Sequence, residues 1–388
     1  MNEKPRQPAE PDPNQPGQTA LELINTGAEW LRGTGRACDV VVSSRVRLAR
    51  NLAGFPFMPR ASRVDRQQIV DLCHHKLMEA ELADRLLWID LREVSRLDRN
   101  LLVERHLISQ AHARGKIGNH SVTGGRTGED EPRAVAVGLP GERLSIMVNE
   151  EDHLRIQVVK SGFALAEALT EIDTIDDRIE ARADYAFHPR FGYLTACPTN
   201  VGTGIRFGVM LHLPALKLTG DIEKVTRAAN DMSLAVRGFY GEGSEPLGDF
   251  FQISNQTTLG KSERVLLHDL EHEIIPKVIE YERVSRRQLV ERRGEAIADQ
   301  VHRAMGVLTH ARLLATDEAT RLLSQLRLGV AMGLIEKVDQ QVVHNLMLLV
   351  QPAHLQRASG RNMTQAERRI ARAELVRNRL AEAVTRRA

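Results

Sequence analysis

The segment Thr195 to Leu213, TACPTNVGTGIRFGVMLHL, constrains this chain more tightly than any other stretch. Its first half is loop chemistry: Cys197, then Pro198 at once, then Asn200-Val201-Gly202-Thr203-Gly204. Two glycines so close let the main chain approach a ligand and present amide N–H groups without Cβ obstruction. From Ile205 the pattern becomes a buried strand, and its first outward side chain is Arg206. A thiol, an anion-tolerant backbone and an arginine therefore fall together. The plain alternative is a free core cysteine ahead of a turn.

The 388 residues leave room for two or three domains and a sizeable core. Hydrophobic residues at 42% and charged residues at 27% describe an ordinary globular protein. A net charge of +2 argues against whole-surface attraction to nucleic acid or membrane, so neither is expected as a direct partner. Cys38, Cys73 and Cys197 form no CxxC pair, which removes a disulfide framework and a cysteine-rich zinc site. No metal-ligand set is expected from the protein itself. No apolar run approaches the roughly 18 residues of a membrane span, and the expected compartment is the cytoplasm.

Taken in order, the pattern predicts an α+β chain, an antiparallel sheet flanked by helices, followed by an all-helical C-terminal domain. Residues 1–20 are proline-rich and polar and are expected to be a disordered tail. A short helix is expected near Leu21 to Leu31, then a β-branched strand from Cys38 into Ser43-Ser44-Arg45-Val46-Arg47. Alternation puts Arg45 and Arg47 on one face about 7 Å apart, a clamp suited to polyphosphate or simply a solvated strand face. Helices are expected over Val64–Ala83 and Leu101–Ala111, the latter holding His106, with a strand over Leu86–Asp90 between them. Gly115 to Glu131 reads as a loop. Strands follow over Ala134–Gly138, Leu144–Asn149 and Arg155–Val159, with Glu150-Glu151-Asp152 crowded into one short connection. Such crowding is relieved by a cationic ligand; an acidic surface turn is the alternative.

A helix is expected over Phe163–Asp184. After the opening stretch, Asp221 is expected to cap a helix with apolar positions Ile222, Val225, Ala229, Met232 and Val236. It runs into the glycine loop Arg237-Gly238-Phe239-Tyr240-Gly241-Glu242-Gly243. Asp249–Ser254 reads as a strand and Ser262–Glu282 as a helix bent at Pro276. The expected divisions are thus 1–20, 21–284 and 285–388, the last helical.

Three tempting patterns carry less. His268-Asp269-Leu270-Glu271-His272 satisfies a zinc-protease spacing, but its helix is apolar on the other face. Gly260-Lys261-Ser262 resembles the end of a P-loop, yet Asn255 occupies the required upstream glycine position. Gly202-Thr203-Gly204 lacks the third glycine of a dinucleotide fingerprint, Phe207 standing there.

SSRVR at 43–47, NEEDHLR at 149–155, CPTNVGTG at 197–204 and SNxxxLGxSE at 254–263 resemble the catalytic domain of the phosphagen (guanidino) kinases. Within that family RGFYGEG at 237–243 and IMVNEEDHLRIQ at 146–157 are similar to bacterial protein-arginine kinases of the McsB type. The resemblance implies ATP and Mg²⁺ as cofactors. It implies a nucleotide site from Ser43, Ser44, Arg45, Val46, Arg47, His106, Arg155, Arg206, Phe207, Gly208, Val209 and Met210. Arg237, Gly238, Phe239, Tyr240, Gly241 and Glu242 complete it. It also implies that Glu151 and Glu242 grip an acceptor guanidinium beside Cys197.

That chemistry suits the residue types. A guanidinium is a poor nucleophile because its lone pair is delocalised. Two carboxylates can align it, localise its charge and accept its proton as the phosphoryl group arrives. Cys197 as a thiolate would add negative charge rather than attack. The acceptor expected is an arginine displayed on a protein, because few residues precede the SSRVR strand to enclose a metabolite; free arginine or another small guanidino compound is the alternative. Stress response or protein quality control is the implied setting. An activating adaptor, a Clp-type protease and a homodimer are the implied partners. In the C-terminal part the family carries an R-D-x-x-R-A motif that binds phosphoarginine. Here Arg368, Arg369 and Arg372 stand in RRIARA, with arginine replacing the acid. This sets phosphoarginine sensing level with a plain arginine-rich helix.

Overall fold

The structure, a computed structural model, describes residue 23 and residues 27–115, 128–238 and 247–386. The expected tail at 1–20, residues 116–127 of the glycine-rich segment, and Phe239, Tyr240, Gly241 and Glu242 lie outside the described residues.

An eight-stranded antiparallel sheet organises the first two thirds of the chain, in the order β2-β3-β4-β5-β1-β8-β10-β9. Its strands are β1 (Val41–Arg50), β2 (Arg85–Asp90), β3 (Ala134–Leu139), β4 (Leu144–Val148), β5 (Leu154–Ser161), β8 (Ile205–His212), β9 (Leu234–Arg237) and β10 (Phe250–Asn255). A separate two-residue hairpin pairs β6 (Phe187–His188) with β7 (Gly192–Tyr193). One face of the sheet carries the apolar members of the alternating pattern. Val46, Leu48, Ile156, Val158, Ile205, Phe207 and Val209 cluster there against two helices, Arg63–Glu79 and Leu165–Glu180. The first of these opens on a capping box, with Ser62 and Asp65 each bonding the other's backbone N–H. The opposite face at mid-sheet is polar, and it is there that the arginines gather.

The helical C-terminal part packs on the sheet as well as on itself. Leu308, Leu323, Leu326 and Leu346 share one cluster with Val42, Val159, Met210 and Phe250 of the strands. Arg327, fully buried, fastens it by donating to the carbonyls of Cys38 and Asp39 at 2.8 and 3.1 Å. The helix Ile275–His310 continues past residue 284 and kinks at Arg293, where φ is −146°; Pro276 sits in its first turn, directly after a π-helical turn over Asp269–Ile274. No helix among the described residues is long and apolar enough to cross a membrane.

Three local expectations are corrected. The helix expected over Leu101–Ala111 is two, Arg96–Glu104 and Gln110–Arg114, because Ser109 caps the second through the His112 N–H. His106 occupies the turn between them with φ of 60°. Asp221 does not cap its helix; its carboxylate bonds Lys224 instead. That helix ends at Asp231, Ser233 turns the chain with φ of 59°, and Leu234–Arg237 becomes strand β9 rather than further helix. Between Leu21 and Leu31, Leu23 is helical and a 3₁₀ turn spans Glu29–Leu31; residues 21, 22 and 24–26 lie outside the described residues.

Candidate active site

A cavity of about 600 Å³ opens over the polar face of the sheet. Arg45 and Arg47 of β1, Arg155 of β5, Arg206 of β8 and Arg237 of β9 all line it. Their convergence follows from register: Arg47 stands directly opposite Arg206, and Arg237 opposite Gln252 of β10. Like charges placed opposite each other on neighbouring strands repel. Burial first, then the neighbouring Arg155 and Arg206, push Arg45 down to about 10. Arg47 is held well below its ordinary value too, by burial and then by Arg45, Arg155, Arg206 and Arg237. A face so short of negative charge is a receptor for a polyanion, and planar guanidinium forks match phosphate oxygens. His106 lies at the same wall, held neutral at about 3 by burial and by Arg45.

The acid turn crosses the cavity between β4 and β5. Asn149 takes φ of 61° there, its side-chain amide donating to the carbonyls of Arg66 and Pro132 at 2.8 and 3.0 Å. The three carboxylates that follow have separate duties. Glu150 is 6% exposed and accepts from Ser109 Oγ at 2.6 Å, from the Glu151 N–H at 2.9 Å and from Arg155 Nη1 at 3.0 Å. Burial opposes its ionisation, but Arg155 and these donors win and hold it at about 2. Asp152 also lines the cavity, and its Oδ1 accepts from Asn51 and from the Ala196 N–H, each at 2.7 Å. Glu151 faces the cavity, and burial, then Glu150 and Asp152, raise its pKa. A carboxylate raised in this way is disposed to accept a proton or a cation.

The thiol loop forms the remaining wall. Cys197 and Asn200 line the cavity, and Cys197 Sγ lies 3.0 Å from Thr199 Oγ1. The glycines are there because backbone meets backbone. At Gly202, with φ of 110°, a Cβ would come 2.6 Å from the Thr258 carbonyl; at Gly204 it would come 2.7 Å from that of Ala49. Arg50 braces the loop from beneath. It is 2% exposed, pairs with Asp176 at 2.7 Å, donates to the Thr203 carbonyl at 2.9 Å and stacks 3.6 Å from the Tyr193 ring.

Of the residues singled out from sequence, Arg45, Arg47, His106, Glu151, Arg155, Cys197, Arg206 and Arg237 share this cavity. Ser43, Gly208 and Met210 line a small recess beside it, together with Arg45, His106 and Trp30. Val46, Phe207 and Val209 turn their side chains to the opposite face, fully buried in the core, because strand side chains alternate. Ser44 is buried too, its hydroxyl bonding the Gly162 carbonyl and the Ala164 N–H at 2.9 Å each. Gly238 closes β9; Phe239, Tyr240, Gly241 and Glu242 lie outside the described residues. Arg368, Arg369 and Arg372 belong to the terminal helix Gln365–Arg386, away from the cavity. There Arg372 is 2% exposed and ties the carbonyls of Val350 and Leu314 at 2.7 and 2.9 Å. Glu271 of the zinc-like pattern is ion-paired with Arg36. Sequence reasoning missed Asn51, Ser109, Gln157 and Gln252, ordinary polar residues whose roles arise only from cross-strand placement.

The model of the ATP:guanido phosphotransferase C-terminal catalytic domain matches residues 68–285, and that of the protein-arginine kinase McsB C-terminal domain matches residues 294–388. A protein-arginine kinase of Symbiobacterium thermophilum is 44% identical over 363 residues, spanning 92% of this chain and 98% of its own. That of Geobacillus stearothermophilus is 42% identical over 362 residues, spanning 92% and 95%. Among solved structures, a lombricine kinase aligns with a TM-score of 0.53 and 25% identity over 69% of this chain and 72% of that one. The duplicated taurocyamine kinase of Schistosoma mansoni shares the fold with a TM-score of 0.53 at 24% identity, over 72% of this chain and 36% of that one. With a matching domain model over each part and relatives matched along nearly their full length, the chain belongs to the protein-arginine kinases of the ATP:guanido phosphotransferase family.

Proposed function

We propose that this protein transfers the γ-phosphoryl group of ATP to arginine side chains of other proteins. The observation that carries the reading is the meeting, in one cavity, of Glu151 and Cys197 with five arginines drawn from four strands. The arginines hold the triphosphate, and its magnesium ion, which enters with the nucleotide as substrate, supplies further charge neutralisation. Glu151 receives the acceptor guanidinium, orients it and takes the proton from the attacking nitrogen. As the N–P bond forms, the bond from the γ-phosphorus to the bridging oxygen breaks, and ADP leaves. Cys197 sets its sulfur beside the acceptor cation and forms no bond. Glu242 is the second acid of the grip in this reading.

His106 remains neutral and so offers the nucleotide a polar edge without adding to the repulsion among the arginines. Ser43, Gly208 and Met210, in the adjoining recess, suit the base end of the nucleotide, where apolar and small side chains are wanted. The same reading names a cytoplasmic enzyme of stress response or protein quality control. It works as a homodimer, with an activating adaptor and a Clp-type protease as partners; the C-terminal domain match to protein-arginine kinases supports this part. Phosphoarginine sensing at Arg368, Arg369 and Arg372 is not part of the proposal, since the acid is replaced and Arg372 is occupied by backbone carbonyls.

The test is incubation with Mg-ATP and a denatured protein, followed by mass spectrometry under non-acidic conditions. Phosphate on arginine, absent with Glu151→Ala, supports the reading. Turnover of free arginine with none of protein would replace it by a metabolite kinase.

A further inference from the structure

The third acid of the turn ties the turn to the thiol loop. Asp152 is 2% exposed, and its Oδ1 accepts both from Asn51 Nδ2 and from the Ala196 N–H, each at 2.7 Å. Ala196 immediately precedes Cys197. Asn51 follows the last residue of β1 and is 1% exposed. Its Nδ2 donates also to the Leu194 carbonyl at 3.0 Å, and its Oδ1 accepts from the His153 N–H at 2.9 Å. One amide orientation alone satisfies two acceptors on one side and a donor on the other. The backbone adds two more ties. The Asn51 carbonyl accepts from the Ala186 N–H at 2.7 Å, and the Leu52 N–H donates to His153 Nδ1 at 3.0 Å. One asparagine that does not line the cavity thus joins the acid turn to the thiol loop.

We propose that Asn51 is a positioning residue for phosphoryl transfer: through Asp152 it fixes the placement of Glu151 relative to Cys197 while touching neither. The turn is anchored at both ends, by Glu150 to Ser109 and Arg155 and by Asp152 to Asn51 and Ala196. Glu151 lies between the anchors, so its carboxylate cannot retreat from its two acidic neighbours toward solvent. Releasing the second anchor lets the turn and the loop separate, and a misplacement of about 1 Å costs on the order of a hundredfold in rate. The inference rests on the reading of Glu151 and Cys197 as the acceptor-binding groups.

The experiment is a double-mutant cycle of Asn51→Ala and Asp152→Ala with Asp152→Asn as the conservative control, since asparagine keeps an oxygen that accepts both bonds. Three quantities are followed: kcat on a denatured protein, nucleotide affinity, and the alkylation rate of Cys197 by iodoacetamide. Each alanine variant is expected to lose about a hundredfold in kcat, the double variant little more than either, and nucleotide affinity to stay within about twofold. Asp152→Asn is expected to stay near wild type. Cys197 alkylation, which needs no acceptor, should change equally in all three alanine variants. Additive losses in the cycle, a parallel loss of nucleotide affinity, unchanged alkylation, or Asp152→Asn as damaging as Asp152→Ala would each overturn the proposal. Should Asn51→Ala fail to fold, the contrast between Asp152→Ala and Asp152→Asn decides alone. A wild-type enzyme that phosphorylates no protein would instead sink the functional reading, and the alkylation arm would still judge the bridge.

Discussion

Glu150→Gln separates the charge of the first acid from its shape. Glu150 is 6% exposed and is held at about 2 against an ordinary 4.5, burial being outweighed by Arg155, Ser109, His112 and the Glu151 N–H. A folded value below the unfolded one means stability that is fully present above 4.5 and is lost as pH falls through about 2. At about 1.4 kcal/mol per pH unit, that depression is worth roughly 3 kcal/mol at neutral pH. The amide retains an acceptor for the Ser109 hydroxyl but leaves Arg155 without its carboxylate, so most of the roughly 3 kcal/mol should be lost. A second effect reaches Glu151, whose pKa is raised by burial and next by Glu150. Removing that charge lowers it, so the acid limb of the kcat/KM profile should move to lower pH. Urea unfolding at neutral pH measures the first effect and the pH–rate profile the second. A loss below about 1 kcal/mol, or an acid limb that moves to higher pH, would refute this account of the turn.

Other perturbations follow from the same framework. Asp176→Ala strands the buried Arg50 guanidinium, whose remaining bonds are to the Ala49 and Thr203 carbonyls; equilibrium unfolding should show a loss of about 3 kcal/mol. Gly202→Ala forces a Cβ to 2.6 Å from the Thr258 carbonyl at a φ of 110°; kcat should fall by about tenfold or more as the thiol loop shifts. His212 and His344 are both held well below 6.5, first by burial and then by Arg327. The unfolded chain protonates them and the folded one does not, so stability is full above 6.5 and falls as pH drops below it. Thermal unfolding midpoints in an acid series should therefore flatten with His212→Asn.

Much of this architecture can be read from period alone. The alternation in Ser43 to Leu48 places Arg45 and Arg47 together and Val46 opposite, and the strands show that division. The same rule applied to β8 would have separated Arg206, Gly208 and Met210 from Phe207 and Val209, which the resemblance had grouped as one contact set. Val236 illustrates the opposite difficulty. Its spacing from Val225, Ala229 and Met232 fits a helix, and only the turn at Ser233 and pairing with β10 make it a strand residue. His106 was misplaced because Ser109, an N-cap within an apolar run, begins a new helix there. Asn51 was invisible, since its partners Asp152 and Leu194 are 101 and 143 residues distant and no local pattern marks such a bridge. The packing of the C-terminal helices onto Val42, Val159 and Met210 was likewise beyond reach, because an apolar stripe does not name the surface that covers it.

The most direct test of the central claim is phosphoarginine content by mass spectrometry, under non-acidic conditions, after wild type and Glu151→Gln each meet Mg-ATP and a denatured protein. A carboxylate that takes the guanidinium proton predicts abundant modification by the wild type and none by the variant, with nucleotide binding preserved in both. Equal modification by the two proteins would contradict it.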